Sequence, residues 1–175
     1  MAVLRTLLLL FVVFSMGNAR GTGSTLDLVK CPRGWKSFGP RCYQYFSQSV
    51  RWITAERNCQ TLGANLASVH DKPENDFLLS LFPSSTRTWV GAHDGEQEGE
   101  WLWSDGSVYS YTNWCSGEPN NSGGPENCLE ISWTSNRCWN DTPCSTSLNY
   151  ICVLDKIIIC HPAAAALAAA AAGHD

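Results

Sequence analysis

Nine cysteines in a chain of 175 residues constrain this fold more than any other feature. Cysteines build a disulfide framework in an oxidising compartment, whereas in a reducing one they more often bind metals or act as nucleophiles. The sequence contains no CxxC and no HExxH pattern, so a zinc site has little support. The compartment therefore decides how the cysteines are interpreted.

The N-terminus indicates an oxidising compartment. Arg5 precedes an unbroken apolar run at 7–14, and Gly17 and Ala19 supply small residues before a cut. This pattern is typical of a secretory signal peptide over residues 1–19. A membrane anchor is disfavoured because the run is too short to span about 30 Å of hydrocarbon. We expect a secreted, extracellular protein that is stapled by disulfides and does not enter a membrane.

Charge and motifs exclude other function classes. The net charge of −4 disfavours binding to nucleic acid through phosphate attraction. There is no GxSxG motif and no evident pair of nucleophile and base. Two of the four histidines, His161 and His174, lie near the C-terminus, and we interpret His70 and His93 as surface loop residues. We expect no enzymatic activity.

The pattern of residues 31–155 predicts an α+β domain. Cys31 and Cys42 bracket Pro, Gly and aromatic residues, which suits a two-strand unit with a local disulfide. Two helices follow, one with Ala55, Cys59 and Leu62 at helical spacing before Gly63, and one with Asp71 and Glu74 as a capping box around Pro73. "TWVGAHD" and "EWLWSDG" predict short strands, the chain is then loop-rich to Cys138, and "NYICVLDK" predicts a closing strand.

The two flanks of this domain differ from it in composition. Residues 20–30 form a polar, Gly-containing leader, and residues 156–175 form a low-complexity, Ala-rich tail. An Ala-rich segment of this length is only marginally helical alone. We expect both flanks to lie outside the domain.

The segment "EPNNSGGPENC", residues 118–128, concentrates oxygen donors in a loop rich in Pro and Gly. Calcium takes six to eight oxygen ligands from carboxylates, amide carbonyls, backbone and water. If the Glu118–Pro119–Asn120 stretch has a cis bond, both polar side chains can face one centre. The predicted ligands of a calcium ion are Glu118, Asn120, Glu126, Asn140 and Asp141. Five such residues leave room for a sugar diol, whereas a polar loop without metal is the alternative.

The combined spacing of "EPN", Glu126, Cys128, "WND" and the last cysteines resembles the C-type lectin domain family. The resemblance covers Cys31 to Asp155, and "WVGA" at Trp89 is similar to a core segment of that family. It implies the pairs Cys31–Cys42, Cys59–Cys152 and Cys128–Cys144. Cys115 and Cys138 match an extra bridge of fish members, including type II antifreeze proteins, which leaves Cys160 unpaired. Trp139 is expected in the core.

The resemblance also implies a function. The five predicted ligands match the family's principal sugar-binding calcium site, with Glu118, Asn120, Glu126 and Asn140 contacting the sugar. "EPN" goes with mannose, fucose and N-acetylglucosamine, whereas "QPD" tends to go with galactose. A second calcium site would use Glu126 with a further set of residues, in which amides replace two frequent acids and so lower the affinity. That further set is Asp94, Glu98, Asn121 and Asn127.

Two alternatives to a calcium-dependent lectin remain. One is an ice-binding protein, since type II antifreeze proteins share the fold, although Asn127 stands where those proteins carry a further cysteine. The other is a calcium-independent interaction module, which the complete ligand set argues against. We also expect no glycan at the sequons of Asn120 and Asn140 in active protein, and a homodimer linked through Cys160.

Overall fold

The fold was obtained as a computed structural model that describes residues 25–28, 30–84, 86–156 and 158–161. Its two helices are α1 (Trp52–Thr61) and α2 (Lys72–Ser80). Its strands are β1 (Thr25–Leu28), β2 (Lys36–Phe38), β3 (Arg41–Val50), β4 (Asn65–Leu66), β5 (Thr88–His93), β6 (Leu102–Trp103), β7 (Cys128–Ile131), β8 (Asn140–Thr142), β9 (Leu148–Asp155) and β10 (Ile158–His161).

The chain divides into two compact units, the larger of which is Leu28–Ile158. Strands β1 and β10 pair in a separate two-stranded sheet. Both strands lie in the two flanks, residues 20–30 and 156–175, that the sequence analysis expected to lie outside the domain. The predicted signal peptide, most of the Ala-rich tail and the side chain of Cys160 lie outside the described residues. In the described part of the chain, no helix is long and apolar enough to cross a membrane.

The large unit is built on an eight-stranded sheet in the order β2-β3-β9-β5-β7-β8, with β4 on β9 and β6 on β5. All its pairings are antiparallel except the one between β5 and β9, so the sheet is mixed and not purely antiparallel. Parallel strands need a long connection, which residues 94–147 supply. The α+β class is confirmed.

The first helix follows the predicted spacing except at its end. Ala55 and Cys59 are fully buried, as expected for the core face. The helix ends at Thr61, so Leu62 is its C-cap and is 49% exposed instead of facing the core. Gly63 follows with φ +70°, a conformation that glycine adopts at little cost.

The second helix has one half of the predicted capping box. The Asp71 carboxylate accepts a hydrogen bond from the Glu74 backbone N–H at 2.8 Å. The Glu74 carboxylate accepts from the His70 N–H at 2.7 Å instead of returning to Asp71. It does so because Glu74 also pairs with Arg41 and Tyr43 of β3 in a buried contact. The helix start is therefore fixed to the sheet as well as capped.

Four disulfides hold the large unit together, and they are the four pairs that the resemblance implied: Cys31–Cys42, Cys59–Cys152, Cys115–Cys138 and Cys128–Cys144. The last two bridges bracket the loop region and tie it to β7 and β8. Trp139 is fully buried, and its indole N–H donates to the Asn75 side chain at 2.8 Å. Trp139 therefore lies in the core.

One expectation about local structure was wrong and one was incomplete. The segment up to Cys138 is loop-rich as predicted, but it also contains β7, whose four residues are all buried. The charged Glu130 interrupts its apolar pattern, and this strand is too short for that pattern to be seen without it. His93 lies in β5 instead of a surface loop, since it pairs with Cys128 of β7.

Candidate functional site

Four of the five predicted calcium ligands line one open cleft of about 250 Å³. They are Glu118 and Asn120 before the Gly-Gly turn, Glu126 after it, and Asn140 from β8. The remaining lining residues are Arg87, Ser122, Trp133 and Thr142. The loop and the edge strand of the sheet therefore bring together side chains that lie up to 22 residues apart in sequence (118 to 140).

Asp141, the fifth predicted ligand, does not line the cleft and instead anchors the loop. It is fully buried, and its carboxylate accepts from the backbone N–H of Asn120 at 3.1 Å and of Asn121 at 2.9 Å. The Glu118–Pro119 bond is cis, as the sequence argument required. Asn121 has φ +51°, which turns the chain so that both N–H groups face the same carboxylate.

Glu126 closes the loop on itself. Its side chain accepts from the Ser122 N–H at 2.7 Å, and its own N–H donates to the Asn121 side-chain oxygen at 2.8 Å. These two bonds hold the Gly123-Gly124 turn, where both glycines have positive φ. The loop is therefore fixed by its own polar groups, and it needs no hydrophobic contacts of its own.

The orientation of Asn140 is set by a buried acid. Its Nδ2 donates to Glu130 Oε1 at 2.8 Å and also to the Asp141 backbone carbonyl. Both amide hydrogens are thus engaged inside the protein. The amide oxygen is the atom left to accept a hydrogen bond or to coordinate an ion in the cleft.

The cleft has a strongly negative electrostatic character. Burial raises the pKa of Glu118, and so do its hydrogen-bonding contact with Asp141 and the nearby charges of Asp141, Glu126 and Glu130. Burial also raises the pKa of Glu126, with the charges of Asp141 and Glu130 acting in the same direction. Carboxylates that are costly to ionise side by side favour a cation between them.

The donor set fits a hard cation. Glu118 lines the cleft, and its Oε2 is a buried acceptor that has no hydrogen-bond partner. Carboxylate and amide oxygens are the ligands that calcium prefers. Among the side chains that the structure describes, no three His, Cys, Asp or Glu residues are grouped closely enough to hold an ion by themselves. An ion here would therefore depend on Asn120 and Asn140 as well as on the acids.

The residues of the expected second site also lie near one another. Asn121 donates through its side chain to Glu98 at 2.7 Å, and the Asp94 N–H donates to the Asn127 carbonyl at 3.2 Å. Asp94 Oδ1 is buried without a partner. Burial raises the pKa of Asp94, aided by the charges of Glu98 and Asp141 and opposed by the Gly99 N–H. The Asn121 oxygen, however, accepts from Glu126, so one predicted ligand oxygen is engaged elsewhere.

Sequence reasoning missed Arg87 and Trp133, which line the cleft, and Glu130, which is buried beside Asn140. Arg87 forms a two-pronged ion pair with Glu130, with one N–O distance of 2.6 Å, and Glu130 is fully buried. The Arg87 guanidinium lies 4.5 Å from the centre of the Trp133 ring. No sequence signal links these residues, because Arg87 and Glu130 are 43 positions apart and neither belongs to a recognisable motif.

Fold and site together define a C-type lectin-like domain. A family model described as the lectin C-type domain matches residues 48–154. The chain belongs to the C-type lectin domain family.

Relatives in this family include lectins and ice-structuring proteins. The chain is 47% identical over 122 residues to ladderlectin of Oncorhynchus mykiss, a match that covers 67% of this chain and 64% of that protein. It is 36% identical to the galactose-specific lectin nattectin of Thalassophryne nattereri, covering 70% of this chain and 79% of nattectin. It is 35% identical to a type-2 ice-structuring protein of Hemitripterus americanus, covering 71% and 74%.

Solved structures with the same fold also include both antifreeze proteins and carbohydrate-recognition domains. A calcium-independent type II antifreeze protein superposes with a TM-score of 0.69 at 32% identity, covering 75% of this chain and 98% of that one. The carbohydrate-recognition domain of cow CD23, crystallised with a GlcNAc2Man3 oligosaccharide, superposes with a TM-score of 0.68 at 34% identity, covering 72% and 96%. The proteins named here are lectins, ice-structuring or antifreeze proteins, and a carbohydrate-recognition domain.

Proposed function

We propose that this protein is a secreted, calcium-dependent lectin that binds mannose-type glycans, namely mannose, fucose or N-acetylglucosamine. The observation that carries the proposal is the cleft lined by Glu118, Asn120, Glu126 and Asn140, in which Glu118 has a buried carboxylate oxygen without a hydrogen-bond partner. Calcium would supply a coordination centre for two neighbouring sugar hydroxyls. The same four side chains would hold the ion and hydrogen-bond those hydroxyls.

Acid and amide have different parts in sugar selection. A carboxylate such as Glu118 can only accept hydrogen bonds, whereas the amide of Asn120 can also donate. A sugar hydroxyl that lies between Glu118 and Asn120 therefore faces a hydrogen-bond acceptor on the Glu118 side and a possible donor on the Asn120 side. We infer that this order, Glu before Pro119 and Asn after it, favours the mannose-type arrangement of hydroxyls.

The relatives support the class of ligand more than the particular sugar. One relative is named a galactose-specific lectin, and the CD23 domain was crystallised with an oligosaccharide that contains mannose and N-acetylglucosamine. Both relatives therefore support a carbohydrate as the ligand, but they differ in the sugar. The choice of mannose for this chain depends on the order of Glu118 and Asn120.

Ice binding is the second candidate function. It is supported by the similarity to a type-2 ice-structuring protein and to an antifreeze structure with a TM-score of 0.69. The loop that would bind calcium and sugar would then contribute to an ice-binding surface instead. Sugar retention and thermal hysteresis separate the two candidates.

The first test is retention on mannose-agarose and galactose-agarose, each with calcium and with EDTA. We expect retention on mannose that EDTA reverses. The double variant Glu118→Gln with Asn120→Asp reverses the order of acid and amide, and should lose mannose retention by at least about tenfold in affinity and gain retention on galactose. Glu100→Gln, at an exposed loop position, is the matched control and should behave as wild type.

Two results would contradict the lectin proposal. One is mannose retention that persists in EDTA, since the ion would then have no part in binding. The other is no retention on either resin although calorimetry shows that calcium binds. In that case thermal hysteresis becomes the deciding measurement, and ice-crystal shaping would favour the second candidate.

A further inference from the structure

We propose that Trp133, supported by Arg87, forms a second sugar subsite beside the proposed calcium cleft. It would bind the pyranose that is linked to the sugar in the cleft, so the ligand would be a neutral oligosaccharide and not a single sugar. This inference rests on the proposed lectin function. It adds a site that the five predicted ligands do not include.

Trp133 differs from the other tryptophans in its exposure. The chain has eight tryptophans, all within the described residues. The others are buried or half-buried: Trp35, Trp52, Trp89, Trp101, Trp103, Trp114 and Trp139. Trp133 is 42% exposed and lines the same cleft as Glu118 and Asn120. An exposed indole at the rim of a polar cleft offers a large apolar contact surface to a ligand.

The ring is held from within the protein. The Arg87 guanidinium lies 4.5 Å from the ring centroid, a cation–π distance. Arg87 is itself fixed by the two-pronged pair with buried Glu130, and its Nη2 lies 3.4 Å from the Thr142 hydroxyl. Glu130 also orients Asn140. The same buried acid therefore connects the support of Trp133 to a predicted ligand.

The backbone that carries Trp133 is also restrained. Ser132 is buried and has φ +68°, an uncommon conformation for a residue with a side chain. Its hydroxyl donates to the Ser84 carbonyl at 3.0 Å and accepts from Arg137 Nε at 3.1 Å. The Trp133 N–H donates to the carbonyl of Cys138, which is disulfide-bonded to Cys115. A residue that is this well restrained and still exposed is suited to a preorganised contact.

Charge decides the class of the second sugar. An acidic sugar would need an unpaired cation, but the Arg87 charge is already neutralised by Glu130. A neutral pyranose presents C–H groups on one face, which pack on an aromatic ring as other apolar groups do. The subsite should therefore favour a neutral sugar that is linked to the one in the cleft.

The test compares the affinity for a monosaccharide with the affinities for two oligosaccharides. Calorimetry in calcium measures methyl α-mannoside, α-linked mannobiose and α-linked mannotriose as probes. We expect wild type to bind the oligosaccharides about five- to tenfold more tightly than methyl α-mannoside.

Trp133→Ala and Trp133→Gln should lose this preference while the dissociation constants for methyl α-mannoside and for calcium stay within about twofold. Trp133→Phe keeps a ring and should retain most of the preference. Leu102→Ala, at a residue 50% exposed on β6 outside the cleft, is the control.

Each other outcome overturns the subsite. If the Trp133 variants weaken monosaccharide and oligosaccharides by the same factor, Trp133 belongs to the first site or to folding. If they keep the preference, or if wild type has none, no second sugar contacts the ring. All these outcomes leave the lectin proposal standing, whereas wild-type protein that binds no sugar in calcium overturns both proposals.

Discussion

At the scale of single residues, Asn140 combines a glycosylation sequon with a buried side chain. It begins the sequence "NDT", yet it is 6% exposed and both hydrogens of its amide are engaged. A glycan attached to that nitrogen would break the bond to Glu130 and could not fit inside the protein. We expect mass spectrometry of protein secreted from eukaryotic cells to find Asn140 unmodified.

Asn120 provides the comparison, because its sequon "NNS" lies in an exposed part of the loop. Burial does not prevent glycosylation of Asn120. A glycan there would instead remove a predicted calcium ligand, so modified protein should not bind sugar. We expect any glycan at Asn120 to be absent from protein eluted from a sugar resin and enriched in the unbound fraction. Occupied glycan at Asn140 in the eluted protein would contradict this account of the site.

Whether a residue of the site could be predicted from sequence depended on its residue type. Glu118, Asn120, Glu126 and Asn140 could be proposed from sequence because their residue types are calcium ligands. The first three also lie in one loop without apolar pattern, whereas Asn140 lies in β8. Arg87 and Trp133 could not, because an arginine and a tryptophan have many roles in a fold. Their position at the cleft depends on how β5 and β7 pair, which no local pattern encodes.

At the scale of elements, Glu74 joins the start of α2 to strand β3. Its buried carboxylate bonds to Arg41, to the Tyr43 hydroxyl and to the His70 N–H. Burial alone would raise the pKa of Glu74, but the Tyr43 hydrogen bond and the Arg41 charge outweigh it, so the pKa is below its ordinary value of 4.5. We expect Glu74→Gln to lower the free energy of unfolding by about 3 kcal/mol, the low end for breaking a buried ion pair. The loss is at the low end because Arg41 keeps a longer ion pair with Asp105 at 3.6 Å.

The pH dependence of stability follows from the direction of that shift. A lowered folded-state pKa stabilises the protein fully above the unfolded value of about 4.5, and the effect is lost as pH falls towards the folded value. Wild type should therefore lose stability in guanidinium titrations below about pH 5, and Glu74→Gln should lose less over the same window. Asp76→Asn, which breaks the exposed pair with Lys72 on the same helix, is the matched control and should change little. Equal pH slopes in wild type and Glu74→Gln would contradict this explanation.

The elements show why some structure was predictable and some was not. Helix α1 has a regular apolar spacing and α2 has a capping aspartate, and both are local signals that survive folding. Strand β7 has four residues with a charge among them, Glu130, and that charge is compensated by Arg87, which precedes the neighbouring strand β5, and by the amide of Asn140. A buried ion pair between distant segments is a tertiary effect, so a sequence pattern cannot reveal it.

At the scale of the whole molecule, the number of sugar sites per particle decides how strongly the protein holds a glycan surface. The large unit has one proposed sugar cleft, and a single lectin site binds weakly. Joining two such sites makes the second contact intramolecular, which can raise apparent affinity by about 10²–10⁴ without any new contact. The sequence has no coiled-coil heptad repeat, so Cys160 is the residue that we predict to join two chains.

The predicted dimer has two separable consequences. Full-length protein, alkylated at harvest, should show a dimer band on a non-reducing gel that is absent after reduction and absent from Cys160→Ser and Cys160→Ala. Both variants should keep the wild-type dissociation constant for methyl α-mannoside, because the cleft of Glu118 and Asn140 is unchanged, but should elute from mannan-coated beads at a much lower competitor concentration. A purely monomeric wild-type band would remove the covalent dimer. A dimer band with unchanged retention of the variants would show instead that linkage through Cys160 does not let both clefts reach one surface.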